Sequence, residues 1–296
     1  MSSFEPLNPT ELRAALVGTR FPARLHHFPT AESTNTLLFE AAANGAPEGA
    51  VYLADEQTVG RGRGGHAWHS APGDGLYLSV LAKPALRLRE ALWISLATAL
   101  AVQSAIKSTT GLSIDIRWPN DLLHPQASSP GRKVGGILVE ASVNPGEDPL
   151  LRYAVIGIGI NLNHAAFPPE LDPIATSIRR ELPADLPLRE EQEHSTRSVE
   201  NSTKCLPREP LAAAILRALA TEIHQLSTDN VERTTDNSPE SHSTWLCGKR
   251  VRVEPRADQP GGYTGTTAGL DPHGFLRVAT DDGQLRTVLT GGLREP

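Results

Sequence analysis

The chain has 296 residues, 39% hydrophobic and 21% charged, which suits one large domain or a medium domain plus a small one. Its formal net charge of −6 argues against nonspecific binding to DNA or an acidic membrane, because such proteins carry a basic surplus. Cys205 and Cys247 have no metal-ligand spacing, so neither a disulfide framework nor a zinc site is indicated. With no signal-like N-terminus and no apolar stretch approaching roughly 18 residues, we expect a cytoplasmic protein.

The N-terminal segment predicts a short helix followed by a strand. Thr10 suits the N-cap of a helix that carries Leu12 and Leu16, and residues 24–28 are predicted to enter the main sheet. A DNA-binding helix-turn-helix module needs a longer extension, typically about three helices, before the first motif. We therefore expect no DNA-binding module and no DNA partner.

The next part of the chain predicts alternating helices and strands. Ser33 or Thr34 caps a helix at 36–43, and Gly45 is placed to end it in a left-handed conformation. The elements expected after it are strands at 51–54 and 75–81, a long helix at 88–108 ended by Gly111, and a strand at 114–118 ended by Pro119.

Two nearly continuous apolar runs, 134–142 and 153–162, predict adjacent central strands of an antiparallel sheet. Both runs contain glycines, which leave open space above the sheet where a flat group or another backbone can approach. These glycines are Gly135, Gly136, Gly157 and Gly159.

Two polar stretches, 186–210 and 227–243, almost lack large apolar residues and are predicted to be mostly mobile surface insertions. Between them Leu211, Ile215, Leu219, Ile223 and Leu226 recur at helical spacing, which predicts a packed helix.

From Trp245 onward the sequence predicts short strands separated by Pro-Gly, Asp-Pro-His-Gly and Asp-Asp-Gly turns, a pattern typical of a small SH3-like β-barrel. The predicted class is α+β. A mixed, mainly antiparallel sheet with helices on one face would occupy residues 1–243, and the barrel would occupy residues 244–296.

A glycine-rich segment at residues 60–68, called the glycine loop below, is the first candidate binding element. Its glycines allow backbone N–H groups to converge on phosphate oxygens, and Arg61 and Arg63 add permanently charged donors. Alternatives are a solvent loop or an RNA-contacting segment of the RGG type. It is not a P-loop, because no Gly-Lys-Ser/Thr follows.

Three polar residues at the ends of strands can serve the same anion. Lys133 precedes a buried strand, where it is either a solvated strand end or a cation that stabilises charge in a transition state. Asn120 and Asp121 either terminate a turn or act on a nucleotide, Asn120 by orienting an oxygen and Asp121 by holding Mg²⁺ on the phosphates. The sequence leaves both alternatives open.

The segment Ser33-Thr34-Asn35 is either a plain helix N-cap or a set of hydroxyls and amides aimed at a polar ligand group, with Gln57 supplying a further amide. Trp68 is a candidate wall of the site, whereas Trp118 is expected in the core. The histidines lack the helical spacing of a metallohydrolase, and no G-x-S-x-G element is present.

Five segments, taken together and in this order, resemble the bacterial biotin–protein ligase family, in its monofunctional form without an N-terminal DNA-binding domain. The resemblance is strong over residues 24–163, and the C-terminal barrel agrees in type. The segments are Ser33-Thr34-Asn35, Gly60 to Trp68, Trp118-Pro119-Asn120-Asp121, Lys133 to Glu140, and Gly157 to Asn161.

The resemblance implies ATP and biotin as substrates, with Mg²⁺, and the biotin carboxyl carrier protein of acetyl-CoA carboxylase as acceptor. It implies catalytic roles for Lys133, Arg63, Arg61 and Asp121. The biotin site would comprise Ser33, Thr34, Asn35, Gln57, Gly60, Arg61, Arg63, Lys133 and Gly136. The nucleotide site would comprise Arg63, Trp68, Asn120, Lys133 and Asn161.

One residue departs from the family pattern. His66 stands where arginine is common, and a histidine is neutral much of the time at pH 7, so this end of the loop is expected to hold phosphates less firmly. Lipoate–protein ligase is the nearest alternative function. A noncatalytic biotin-responsive regulator and an RNA-binding SH3-like protein are alternatives of other classes. Exposed sheet edges would also allow a homodimer.

Overall fold

The computed structural model of the chain describes residues 4–126, 129–183, 205–228, 238–254, 261–289 and 291–296. The helices there are α1 Pro9–Ala15, α2 Thr34–Ala43, α3 Leu92–Thr110, α4 Ile178–Glu181 and α5 Arg208–Thr228. The larger sheet contains β1 Leu25–Ala31, β2 Val51–Gln57, β3 Gly75–Ala82, β4 Asp115–Arg117, β5 Asp121–Gln126, β6 Ser129–Val143 and β7 Leu151–Asn161. The smaller sheet contains β8 Cys247–Val253, β9 Tyr263–Leu270, β10 Leu276–Thr280, β11 Leu285–Val288 and β12 Leu293–Arg294.

The larger sheet has seven strands in the order β1-β2-β3-β7-β6-β5-β4. The β1–β2 pair is parallel and the other pairs are antiparallel. The predicted α+β class with a mixed, mainly antiparallel sheet is thereby confirmed. The two apolar runs predicted as adjacent central strands are β6 and β7, and they pair along most of their length.

The helices divide between the two faces of this sheet. Alternate residues of β3, including Leu76 and Leu78, pack into the large core formed with α3 and α5. On the opposite face Leu38 of α2 packs with Leu81 and Val155. The two long helices thus share one face, as predicted. The expectation of helices on one face is wrong for the short α2, which lies on the second face with its N-terminus at the candidate site.

The smaller sheet has the order β11-β10-β9-β8-β12, and each pair in it is antiparallel. Its core continues into the main domain, because Leu96 of α3 and Trp118 lie in the same buried cluster as Trp245 and Leu276. Trp118 is 2% exposed, and its indole Nε1 donates to the Gly274 carbonyl at 3.0 Å. The expectation that Trp118 is a core residue is confirmed, and it joins the two sheets.

Two details of the predicted elements were wrong. The N-cap of α1 is Asn8 rather than Thr10, because the Asn8 side chain accepts hydrogen bonds from the backbone amides of Thr10 and Glu11. Residues Asp121–Gln126 form strand β5, which was not predicted. The strand was missed because Pro125 and polar residues obscure its alternation, whereas pairing with β6 fixes it.

The predicted polar insertions lie mostly outside the described residues, at 184–204 and 229–237. Their described edges are ordered elements: residues 208–210 begin α5, and Pro239–His242 forms a short 3₁₀ helix. The prediction of polar insertion was therefore wrong at these edges. The helix expected between the stretches is confirmed as α5, with Leu211, Ile215 and Leu219 buried.

Within the part of the chain that the structure describes, one segment, Leu88–Thr110, is long and apolar enough to cross a membrane by length and composition alone. The expectation that no apolar stretch approaches this length was therefore wrong for α3 and its preceding turn. Most of α3 is buried between the sheet and α5, as in the core helix of a soluble protein.

The shared core predicts that Leu96 supports the packing of both sheets. Replacing this fully buried residue in Leu96→Ala should lower the free energy of unfolding by about 2 to 5 kcal/mol, because the smaller side chain leaves a cavity. Urea denaturation would measure the change. Leu285→Ala, at a position 58% exposed in β11, is the matched control and should stay within about 0.5 kcal/mol of the parent. An equal effect of the two substitutions would contradict the shared core.

Candidate active site

A cavity enclosing about 450 Å³, part of it open to solvent, lies on the face of the larger sheet that carries α2. It is bounded by the N-terminus of α2, the end of β2, the glycine loop, and strands β3, β6 and β7. Of the predicted site residues, it brings together Ser33, Thr34, Asn35, Gln57, Arg61, Arg63, Trp68, Asn120, Lys133 and Gly136.

The floor of the cavity exists because central strands β6 and β7 carry glycine where side chains would otherwise stand. A Cβ at Gly159 would lie 2.6 Å from the Trp68 indole, and one at Gly157 would lie 2.7 Å from Asn35 Oδ1. A Cβ at Gly136 would lie 3.3 Å from both Trp68 and Lys133. The prediction that these glycines leave room above the sheet is confirmed, and the room is taken partly by Trp68.

The inner end of the cavity is polar and buried. Ser33 caps α2 by accepting from the Thr36 amide, so the predicted cap is confirmed, and it sets Thr34 and Asn35 in the first helical turn. Gln57 Oε1 accepts from the Thr34 amide at 2.9 Å. The Thr34 hydroxyl lies 2.9 Å from Ser79 Oγ, a buried group that sequence reasoning missed. Ser79 carries no motif signal beyond being a polar residue in an apolar strand.

The glycine loop closes on itself and lies over the cavity. The Gly62 amide donates to the His66 carbonyl at 2.7 Å, and the Trp68 amide donates to the Gly60 carbonyl at 2.9 Å. Gly64 and Gly65 have φ of 70° and 83°, which side-chain-bearing residues rarely adopt. Outside the cavity, Arg61 Nη2 pairs with Glu140 Oε1 at 2.8 Å. Glu140 was also missed, although it ends the predicted Lys133–Glu140 segment.

Lys133 lies between a carboxylate and an aromatic ring. Its Nζ is 2.5 Å from Asp121 Oδ1 and 5.3 Å from the centroid of Trp68. Asp121 Oδ2 pairs with Arg117 at 2.6 Å. Burial raises the pKa of the Asp121 carboxyl, but Lys133 and Arg117 outweigh it, so the pKa lies below its ordinary value. Asp121 is therefore an ionised anchor that holds the Lys133 ammonium at the cavity wall.

Trp68 forms the wall of the cavity on the side of the glycine loop, as predicted. Its indole Nε1 is buried without a hydrogen-bond partner among the described residues. This edge of the indole rests on the sheet, since a Cβ at Gly159 would lie 2.6 Å from Nε1.

Three predicted site residues lie apart from the cavity lining. Gly60 is buried, and a Cβ there would lie 2.5 Å from the Trp68 carbonyl, so it permits the loop's closure rather than a ligand contact. Asn161 is buried, and its Nδ2 donates to the carbonyls of Lys133 and Thr176, which makes it a support for the start of β6. Asp121 pairs with Lys133 but does not itself line the cavity. His66 is exposed at the tip of the loop.

Comparison with protein families gives two matches. Residues 27–161 match the biotin/lipoate A/B protein ligase family, and residues 246–291 match the biotin protein ligase C-terminal domain. The first range contains the cavity and the second contains most of the smaller sheet. Both ranges thus match family models that include biotin protein ligases.

Individual relatives agree with this assignment. The chain is 30% identical over 295 residues to the biotin--[acetyl-CoA-carboxylase] ligase of Mycobacterium tuberculosis, covering 97% of this chain and 94% of that protein. It is 38% identical over 174 residues to the bifunctional ligase/repressor BirA of Bacillus subtilis, covering 58% of this chain and 51% of that protein. The chain thus spans about half the length of the Bacillus relative.

Solved structures give the same fold. The biotin protein ligase of Aquifex aeolicus, in complex with biotin and ATP, superposes with a TM-score of 0.65 at 24% identity, covering 92% of this chain and 99% of that chain.

The close contact between Gly159 and Trp68 predicts that Gly159→Ala displaces the indole from the cavity, because the new methyl group would lie 2.6 Å from the ring. Tryptophan emission should then shift to longer wavelength as Trp68 moves toward water, which fluorescence spectroscopy would detect. Gly292→Ala is the control, since its methyl group meets only the Glu254 carboxylate, at 3.0 Å. Unchanged emission in Gly159→Ala would show that Trp68 does not rest on this glycine.

Proposed function

The chain belongs to the biotin/lipoate A/B protein ligase family, and from this premise we propose that it is an ATP-dependent biotin–protein ligase. It would activate biotin with MgATP to form biotinyl-5′-AMP and pyrophosphate. It would then transfer the biotinyl group to one lysine of the biotin carboxyl carrier protein of acetyl-CoA carboxylase. One observation carries this proposal: a single cavity combines a buried polar end with cationic side chains at its opening.

The polar end suits the ring head of biotin, which carries a cyclic urea with one carbonyl and two N–H groups. Thr34, Asn35 and Ser79 are each at most 4% exposed, and together with Gln57 they supply both donors and acceptors. Ser33 orders this turn as the helix cap. These groups already bond to one another, and a cyclic urea can add hydrogen bonds to their remaining donor and acceptor sites, which an apolar ring cannot.

In the first step an oxygen of the biotin carboxylate attacks the α-phosphorus of ATP, and the bond to pyrophosphate breaks. The reaction needs no nucleophile from the enzyme. It needs two anions brought together and the charge on the phosphorus oxygens offset, which Lys133, Arg61 and Arg63 can supply. Asp121 and Arg117 position the Lys133 ammonium for this role.

The nucleotide would lie along the wall made by Trp68 and Asn120. Trp68 lines the cavity and offers its ring face. Asn120 lines the cavity while its Nδ2 donates to the Ile137 carbonyl at 2.9 Å, so its amide oxygen remains directed elsewhere as an acceptor. Asn161 supports this end by holding the backbone of Lys133 rather than by contacting the ligand.

In the second step the neutral ε-amine of the carrier lysine attacks the acyl carbon of the anhydride. The acyl–phosphate bond breaks, AMP leaves as a stable anion, and the amine loses one proton to water or to the AMP phosphate. AMP is a good leaving group, so the enzyme's task is to keep the adenylate from water until the lysine arrives. The glycine loop is the element placed over the cavity to do this.

Magnesium is best treated as part of the MgATP substrate. Both oxygens of Asp121 are already paired, Oδ1 with Lys133 and Oδ2 with Arg117, so this carboxylate does not fit the predicted role of metal ligand. No group of three or more His, Cys, Asp or Glu side chains able to hold a metal occurs within the described residues. The ATP phosphates would therefore provide the ligands for the ion.

Lipoate–protein ligase is a second candidate, because the matching family model covers biotin and lipoate ligases alike. The match of residues 246–291 to a C-terminal domain of biotin protein ligases favours biotin. So does the polar end of the cavity, because lipoate has an apolar dithiolane ring. A cytoplasmic location and a homodimer are compatible with this function and remain part of the proposal.

The proposal predicts that the purified protein forms biotinyl-AMP from MgATP and biotin, which mass spectrometry of the bound ligands would detect. Lys133→Ala should lower the rate of formation by a factor of about 100 or more, because one preorganised charge near the phosphorus is lost. Exposed Lys83→Ala is the control and should match the parent. Lipoyl-AMP alone would favour the alternative ligase, and no adenylate with either acid would contradict adenylation.

A further inference from the structure

A continuous chain of polar contacts runs around the cavity from Ser70, just after the glycine loop, to Arg61 within it. At the exit, Gln57 Nε2 donates to Ser70 Oγ, and Ser70 Oγ donates to the Trp68 carbonyl. Gln57 also accepts from Thr34, whose hydroxyl lies 2.9 Å from Ser79 Oγ. The chain thus links the loop to the buried end of the cavity.

The chain continues to a carboxylate. Ser79 Oγ donates to Asn35 Oδ1 at 3.1 Å, and Asn35 Nδ2 donates to Glu140 Oε2 at 2.6 Å. A carboxylate only accepts hydrogen bonds, so Glu140 requires the amide nitrogen of Asn35 to face it. The Asn35 oxygen must then face Ser79, which uses the only Ser79 proton. Glu140 therefore decides which donors and acceptors the buried end presents.

The same carboxylate holds the loop. Arg61 Nη2 donates to Glu140 Oε1 at 2.8 Å, and Arg61 Nη1 donates to Glu140 Oε2 at 3.3 Å and to Thr36 Oγ1 at 3.1 Å. Two parallel bonds fix the guanidinium in plane as well as in place. The Arg61 and Glu140 side chains are 46% and 27% exposed, so solvent screens the pair and it is open enough to break.

We propose that Glu140 is a positioning residue that couples recognition at the buried end of the cavity to closure of the glycine loop. It rests on the proposed function for the identity of the ligand, but the contacts themselves do not depend on that identity. One carboxylate orients the Asn35 amide and holds Arg61, so loss of either contact weakens the other. A ligand head that matches the Asn35 and Ser79 orientation would favour the closed loop.

The test compares Glu140→Gln, which keeps the shape of the side chain and removes its charge, with Glu147→Gln. Glu147 is an exposed glutamate in the turn between the same two strands, β6 and β7. Thermal unfolding of both variants would establish that they are folded. Trypsin then probes the loop without ligands, since opening exposes the bonds after Arg61 and Arg63. Cleavage there should be about 3 to 10 times faster in Glu140→Gln than in the parent or Glu147→Gln.

A second measurement follows the adenylate. Release of biotinyl-AMP should be about 3 to 10 times faster in Glu140→Gln, and the KM for biotin should rise by a similar factor. Arg61→Lys keeps the charge but loses the two parallel bonds, so it should also speed release. The double variant should release the adenylate no faster than Glu140→Gln alone. Its KM for biotin should equal that of Glu140→Gln.

Each outcome decides one question. Equal cleavage and release in Glu140→Gln and Glu147→Gln would overturn the positioning role, and so would fully additive effects of the Arg61 and Glu140 substitutions. If the parent forms no biotinyl-AMP but Glu140→Gln still speeds loop cleavage, the proposed function fails while the hold of Glu140 on the loop stands. If the parent forms the adenylate and Glu140→Gln behaves as the parent does, only the coupling fails.

Discussion

The site depends on the absence of side chains at three positions of the central strands. With glycine at positions 157 and 159, the Asn35 amide and Trp68 approach the sheet more closely than a Cβ would allow, and a Cβ at position 136 would be in tight contact with Trp68. The glycine loop can therefore rest its tryptophan on β7 and enclose a cavity whose floor is backbone. Everything else in the site is arranged around that floor: the helix cap at one end, the cations at the other, and the loop above.

Two cations of the cavity are held by carboxylates before any ligand binds. Lys133 pairs with Asp121, and Arg61 pairs with Glu140. An arriving phosphate would share these cations rather than meet them unpaired, so the side chains need little rearrangement to offset new charge. The two carboxylates differ in one respect. Asp121 also pairs with Arg117, which fixes its carboxylate in place. Glu140 instead connects the glycine loop to the buried end of the cavity.

Much of this arrangement could be predicted from the sequence, because the signals are local. Ser33 caps a helix, Gly111 ends one, and the two apolar runs form paired central strands. The contacts that define roles are nonlocal and could not be read in the same way. Asp121 was predicted to hold Mg²⁺, and its pairing with Lys133 and Arg117 could not be predicted from the motif. Asn161 was predicted to lie near the nucleotide, and its bonds to backbone carbonyls were equally unforeseen. Ser79 and Glu140 were missed because their importance arises from neighbours 44 and 79 residues away.

The central claim is that the buried polar end binds the ring head of biotin while Lys133 and the glycine loop hold the phosphate of the adenylate. A crystal structure with a nonhydrolysable analogue of biotinyl-AMP tests it most directly. We expect the cyclic urea to lie within about 3.2 Å of Thr34, Asn35 or Ser79, and the phosphate to lie within the same distance of Lys133 Nζ. A ligand bound in the reverse orientation, or bound outside this cavity, would contradict it.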